Sequence, residues 1–231
     1  MKKIAFRMDD VGASTKQFEV YSKSYFGNFL FLKYIYPFKA WAPYRELNEK
    51  DWEEITVILG KYGAHLTVAI TAAWVDEKND LIPFPEEFPK QAKVLKEASK
   101  NGLVEIANHG LTHCVVGRHL PRLFLSNRKY HREFYKFLPE DLIKDHLDKS
   151  QKILEDYFET KVITFVPPGN VCTDFAKEYA MQLGLSILSG REKNTFAFHD
   201  RDIVLNGPEW LREKIIGFRN KEFIIVKVKD L

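Results

Sequence analysis

Cysteine is scarce in this chain: Cys114 and Cys172 are the only two. Two cysteines are too few for a disulfide framework, which agrees with a reducing compartment. Each sits close behind a motif loop, so a ligand or redox thiol stands as the alternative to the preferred reading of a small buried residue. No apolar run approaches the ~18 uninterrupted residues of a membrane span, and no Ser/Gly/Pro-rich linker divides the chain, so 1–231 is expected to form a single domain. The start, Met1-Lys2-Lys3-Ile4-Ala5-Phe6, begins as an export signal does, but Arg7, Asp9 and Asp10 interrupt the apolar stretch. The expected location is therefore the cytoplasm. The net charge of +3 is mild and does not by itself call for a nucleic-acid partner.

What the chain has is the composition of a globular domain, 45% apolar and 29% charged over 231 residues, long enough to bury one sizeable core. Strands alternate with helices along it. A strand over 3–8 ends in two carboxylates. Asn48 caps a helix over 49–62 whose buried side is Trp52, Ile55, Ile58 and Leu59, and Gly63 closes it. A strand over 65–71 is followed by a loop punctuated by Pro83, Pro85 and Pro89. A helix over 88–100 leads to a strand over 103–107. Pro139 starts a helix to 158 with Leu142, Ile143, Leu147, Ile153 and Leu154 inward. Strands are expected over 162–166, 185–188, 195–198 and 223–228, and helices over 173–183 and 208–216. Such alternation argues for parallel βαβ units in an α/β barrel or open sheet, with the site at the carboxyl ends of the strands. Residues 11–47 and 114–138 stand out as insertions.

Three motifs fall at such strand ends: Asp9-Asp10, His109-Gly110-Leu111-Thr112-His113 and Phe165-Val166-Pro167-Pro168-Gly169-Asn170. Two imidazoles and one carboxylate form a three-ligand set that leaves a coordination position open for water, as a hydrolytic zinc centre requires. His-x-x-x-His alone is only moderately specific, since chance pairs are often surface residues. Neighbouring residues on a strand point to opposite sides, so Asp9 and Asp10 cannot both enter one coordination sphere without distortion. They are expected to divide labour: one carboxylate on the cation, the other taking a proton from the adjacent water. Zinc suits the set best, and another divalent transition metal would also fit.

These motifs resemble those of the polysaccharide deacetylases of NodB homology, carbohydrate esterase family four. Arg7-Met8-Asp9-Asp10 is similar to the family's Thr-Phe-Asp-Asp, His109 to His113 to its His-Ser/Thr-x-x-His, and Val166-Pro167-Pro168-Gly169 in part to its Arg-x-Pro-aromatic-Gly. The similarity extends over most of the chain, and the branch with Arg-x-Asp-Asp and Pro-Pro-Gly-Asn resembles deacetylases associated with O-antigen synthesis. The resemblance implies a distorted (β/α) barrel of about seven mostly parallel strands. It also implies Asp9 as general base, Asp10, His109 and His113 as metal ligands, Gly169 at the position whose N–H supports the oxyanion, and His199 as general acid. For His199 the alternative is a loop histidine bonded to Asp200 or Asp202.

Two positions depart from the family. Its third-motif arginine is Val166 here, and no Asp-containing fourth motif is recognisable around Ser189-Gly190-Arg191-Glu192. Arg7 or Arg201 could supply the missing cation, or either could be a surface residue. The stretch with Arg118, Arg122, Arg128, Lys129, Arg132 and Lys136, opposed only by Glu133, is either a solvated face or a phosphate-binding lip. In the second case Arg128, Lys129 and Arg132 would hold substrate. Trp41, Tyr44 and Trp74 could stack on sugars, with packing the preferred reading. The expected activity is zinc-dependent removal of an acetyl group from an N-acetylated sugar, carried on a nucleotide or lipid diphosphate during cell-surface glycan synthesis. The alternatives are a glycan-binding or assembly protein that has lost turnover, and a metal hydrolase for another acyl or phosphoryl bond.

Overall fold

The computed structural model describes residues 2–14, 16, 45–76, 78–115, 132–190 and 192–231. Arg118, Arg122, Arg128, Lys129, Trp41, Tyr44 and Arg191 lie outside them. The described strands are β1 (Lys2–Val11), β2 (Leu66–Ile70), β3 (Ala73–Val75), β4 (Leu81–Pro83), β5 (Val104–Asn108), β6 (Thr164–Phe165), β7 (Ile187–Leu188), β8 (Thr195–His199) and β9 (Phe223–Val226). The helices are α1 (Glu49–Tyr62), α2 (Phe84–Glu87), α3 (Pro89–Lys100), α4 (Glu140–Phe158), α5 (Asp174–Gln182), α6 (Asp200–Asn206) and α7 (Glu209–Arg219).

Seven strands form one parallel sheet in the order β7-β6-β5-β2-β1-β8, with β9 also pairing the first half of β1. Among the described residues β7 and β8 are the two ends of this path, so the curled sheet is a barrel left open on one side. The chain's alternation explains its two faces. Ile4, Phe6 and Met8 of β1 join Trp52, Ile55 and Leu59 of α1 in the main core. The other face follows the register Arg7, Thr67, Glu105 and points into the curl. There Glu105 accepts the hydroxyls of Thr67 (2.7 Å) and Thr164 (2.5 Å), and Ala69, Ala107 and Val166 form a small separate cluster above. Small side chains in that layer leave the space at the strand ends to the polar residues.

Local chemistry sets the element ends. Asn48 and Asp51 form a reciprocal capping box on α1, and Gly63 closes it in the left-handed region at φ 53°. Thr173 accepts the N–H of Ala176 to cap α5. An aromatic cluster seats β8 and α7 against β1: Phe6 meets Phe196 at 5.1 Å and Phe218 at 5.4 Å between ring centroids. That packing aligns Asp9 with His199 across the β1–β8 register. The hairpin β3–β4 and the helices α2 and α6 are absent from the sequence reading. Three-residue strands are too short to show alternation, and the seven residues of α6 span barely two turns.

Candidate metal centre

The tension between Asp9 and Asp10 is resolved by the backbone. The β1–β2 register slips between Met8 and Val11, and Asp10 adopts φ 68°, a left-handed conformation uncommon for a non-glycine residue. The slip turns Asp10 toward the histidines while Asp9 keeps the strand's inward direction. Asp10 Oδ1 lies 3.1 Å from Nε2 of both His109 and His113. Behind it, the buried Lys16 ammonium donates to the Asp10 carbonyl and pairs with Asp200 and, at 2.8 Å, Glu46. These carboxylates outweigh burial and hold the Lys16 pKa above its usual value.

The two histidines flank a loop that leaves β5. Asn108 accepts the N–H of Gly110 (2.8 Å) and donates to Ser150 Oγ (2.9 Å). Gly110 at φ 81° and His113 at φ 68° fold the loop back on itself. His109 donates Nδ1–H to the Val166 carbonyl at 2.6 Å, which leaves Nε2 directed at Asp10. One ligand atom from each of Asp10, His109 and His113 lies within 4.8 Å of the others. This donor set fits a divalent cation, because its members share one small volume and one ring is oriented from outside, as ligating histidines are. Burial, then the Arg132 guanidinium, pushes the His113 pKa down to about 3 against the pull of Asp10. Burial raises the Asp10 pKa, but His113 and His109 outweigh it and hold the carboxyl well below its usual range.

Asp9 is gripped by Arg7. Nε and Nη2 donate to its two oxygens at 2.8 and 2.9 Å, and Nη1 donates to Ser189 Oγ (2.8 Å) and the Gly190 carbonyl (2.9 Å). Two residues apart on a strand, Arg7 and Asp9 share a face, and the guanidinium crosses the open side of the curl to the end of β7. Arg7 rather than Arg201 thus pairs with Asp9, and the stretch without the family's Asp pattern receives the guanidinium. A cleft of about 380 Å³ is lined by Arg7, Asp9, Asn170, Glu192 and His199, among others. The His199 side chain is 40% exposed, with Nε2 3.7 Å from Asp10 Oδ2. Its ring Nδ1 is 3.9 Å from Asp202, which accepts its backbone N–H.

Arg132 enters from the other side. Its Nη1 lies 2.6 Å from Nδ1 and 3.1 Å from Nε2 of His113, and its Nε lies 2.8 Å from where a Gly169 side chain would begin. Gly169, at φ 62°, therefore shares with His113 the contact of one guanidinium. Of the three basic residues expected at substrate, Arg132 is brought to the centre. Trp74 packs edge-on against Phe88 and is 8% exposed, in keeping with packing. Cys114 is buried; the half-buried Cys172 thiol is pushed up to about 12 by burial. Sequence reasoning missed Lys16, Glu133 and His146. Glu133 did carry a signal, as the single acid in a basic aromatic stretch.

No helix among the described residues is long and apolar enough to cross a membrane. The family model described as polysaccharide deacetylase matches residues 43–188, and no curated protein matches the chain. Among solved structures, a mutant of BA3943, described as a family-four pseudoenzyme with restored activity, superposes with a TM-score of 0.59 at 13% identity, covering 100% of this chain and 67% of that one. The wild-type BA3943 pseudoenzyme of Bacillus anthracis gives 0.55 at 14%, covering 80% of this chain and 61% of that one, less than two thirds of its length. A family 4 acetyl xylan esterase from Clostridium thermocellum, in complex with a cobalt ion, gives 0.55 at 13%, covering 99% and 89%. The structural likenesses carry the fold, and the family match, over more than half of the residues, carries the assignment: the chain belongs to the polysaccharide deacetylase family.

Proposed function

We propose that this chain is a divalent-metal-dependent hydrolase that removes an acetyl group from an N-acetylated sugar, with zinc as the preferred ion. The observation that carries this reading is a second carboxylate. Asp9 stands beside the donor set of Asp10, His109 and His113, held by Arg7 and open to a sugar-sized cleft. A site that only bound a cation would have no use for it. A bound cation would polarise both the acetyl carbonyl and a water molecule. Asp9 would take the proton from the attacking water, and the Gly169 N–H would support the oxygen that gains charge. His199, aligned with Asp9 across β1 and β8, would give its proton to the departing nitrogen. A protein named as an acetyl xylan esterase, in complex with a cobalt ion, shares this fold, so cleavage of an acetyl ester is a neighbouring chemistry.

Arg132 beside His113 and Gly169 supports a substrate that carries negative charge near its acetyl group, as a nucleotide or lipid diphosphate carrier in cytoplasmic cell-surface glycan synthesis, O-antigen included, would supply. The same guanidinium supports a second reading. A cation already seated against His113 could stand in for the metal, leaving a glycan-binding protein without turnover. Acetate release from N-acetylated monosaccharides and nucleotide-diphosphate sugars separates the readings. The zinc-loaded wild type should release acetate and Asp9→Asn should not; no release from any acetylated sugar would overturn the proposal. An unchanged KM for a diphosphate sugar after neutralising Arg128, Lys129 and Arg132 would remove the carrier.

A further inference from the structure

The buried side of α4 is not purely apolar. Ile143, Leu147 and Leu154 are interleaved there with His146, Ser150 and Gln151, all buried. Burying polar side chains costs stability unless each is partnered. Ser150 and Gln151 accept from the Asn108 amide at 2.9 and 3.2 Å, and Asn108 in turn accepts from Gly110. His146 Nδ1 lies 2.7 Å from Glu133 Oε2.

Glu133 is 0% exposed. Its Oε2 also accepts the N–H of Leu111 at 2.9 Å, and its Oε1 accepts the N–H of Thr112 at 2.8 Å. Both donors lie between His109 and His113. A side chain at Gly110 would begin 2.6 Å from Glu133 Oε1, so the glycine is what lets the carboxylate approach the loop this closely. Next to it in sequence, Arg132 pairs across a β-bridge with Cys114 and reaches His113. Adjacent residues of an extended segment point opposite ways, and the loop is thereby held between Arg132 on the site side and Glu133 behind.

We infer that Glu133, oriented by His146, is a positioning residue that fixes the backbone of the histidine loop so that His109 and His113 converge on one cation. Three donors converge on the carboxylate, and an acceptor-only group satisfies all of them. A glutamine at this position would turn an amide N–H₂ toward at least one N–H, and the loop would lose that anchor. Partners one step removed from the ligands typically change metal affinity by about 10- to 100-fold when lost. The inference rests on the proposed metal centre, and its test is metal binding rather than turnover.

The experiment is titration of Co²⁺ into the metal-free protein, followed by visible absorption, for wild type, Glu133→Gln, His146→Leu and His146→Gln. Far-UV circular dichroism checks that each variant is folded. The expected result is about 10- to 100-fold weaker binding with altered absorption bands in Glu133→Gln and His146→Leu. His146→Gln, which keeps a donor to Glu133, should bind like wild type. If Glu133→Gln does not fold, the two His146 variants decide. Wild-type binding by Glu133→Gln and His146→Leu would overturn the positioning role and leave the metal centre standing. Failure of the wild type itself to bind Co²⁺ would overturn both.

Discussion

The carboxylate corner at the end of β1 and the histidine loop after β5 meet at one point but are held by different forces. At the corner, charges are paired with charges: Arg7 with Asp9, and Lys16 with Asp200 and Glu46. Around the loop the bonds are mostly neutral, from Asn108, Ser150, Gln151 and the Val166 carbonyl, with Glu133, among the described residues, the one carboxylate that accepts its backbone N–H groups. The difference matters because a buried ion pair is costly to break from one side. Removing a single partner leaves an uncompensated charge, whereas a lost neutral bond leaves a group that asks for less. The corner should therefore be rigid and brittle, and the loop tolerant of substitution until the metal is added.

The largest break in that comparison is chemical. Asp9→Asn should lower kcat for acetate release by about 10²- to 10⁴-fold while zinc affinity changes little, because Asp9 is outside the donor set; steady-state kinetics with parallel zinc titration checks both. Next is Arg7→Met, which leaves Asp9 buried without its cation and should cost about 3–5 kcal/mol in urea unfolding. The double variant Arg7→Met/Asp9→Asn should recover part of that loss, since no charge is left unpaired. Acid should act on the loop instead. In the metal-free protein His113 has a folded pKa near 3 against an ordinary value of ~6.5, so below pH 6.5 the unfolded chain binds the proton first. Stability present above pH 6.5 should fall by roughly 2 kcal/mol on going to pH 5, and His113→Gln should flatten that slope in denaturation series. The smallest effect is on the loop's site-facing side. Arg132→Gln removes a cation beside His113 and should tighten zinc binding by about tenfold, a small part of the repulsion between close charges. The same variant should raise KM for a diphosphate sugar.

Much of the frame was legible from local signals. α1 falls on the residues its Asn48 cap and Gly63 stop define, and the strands that lead to Asp9, His109 and His199 lie where the apolar runs put them. The donor set was legible because its chemistry concentrates in two short motifs. What escaped was whatever needed a partner distant in sequence. The choice of Arg7 over Arg201 depends on the curl that brings Ser189 and Gly190 opposite β1. Lys16 is explained by partners far from it in sequence, Asp200 at 184 residues and Glu46 at 30, and His146 reads as a polar interruption of an apolar stripe until Glu133 is seen against it. The backbone distortion at Asp10 was anticipated as a conflict between neighbours, but its solution, a register slip with φ 68°, belongs to the pairing of β1 with β2.

The most direct measurement is calorimetric titration of Zn²⁺ into metal-free wild type and the single alanine variants of Asp10, His109 and His113. Convergence of the three side chains predicts one equivalent bound by the wild type and binding weakened well beyond 100-fold in every variant, more than outer partners can cause. Wild-type affinity retained in any one of the three, or no stoichiometric binding by the wild type, would contradict it.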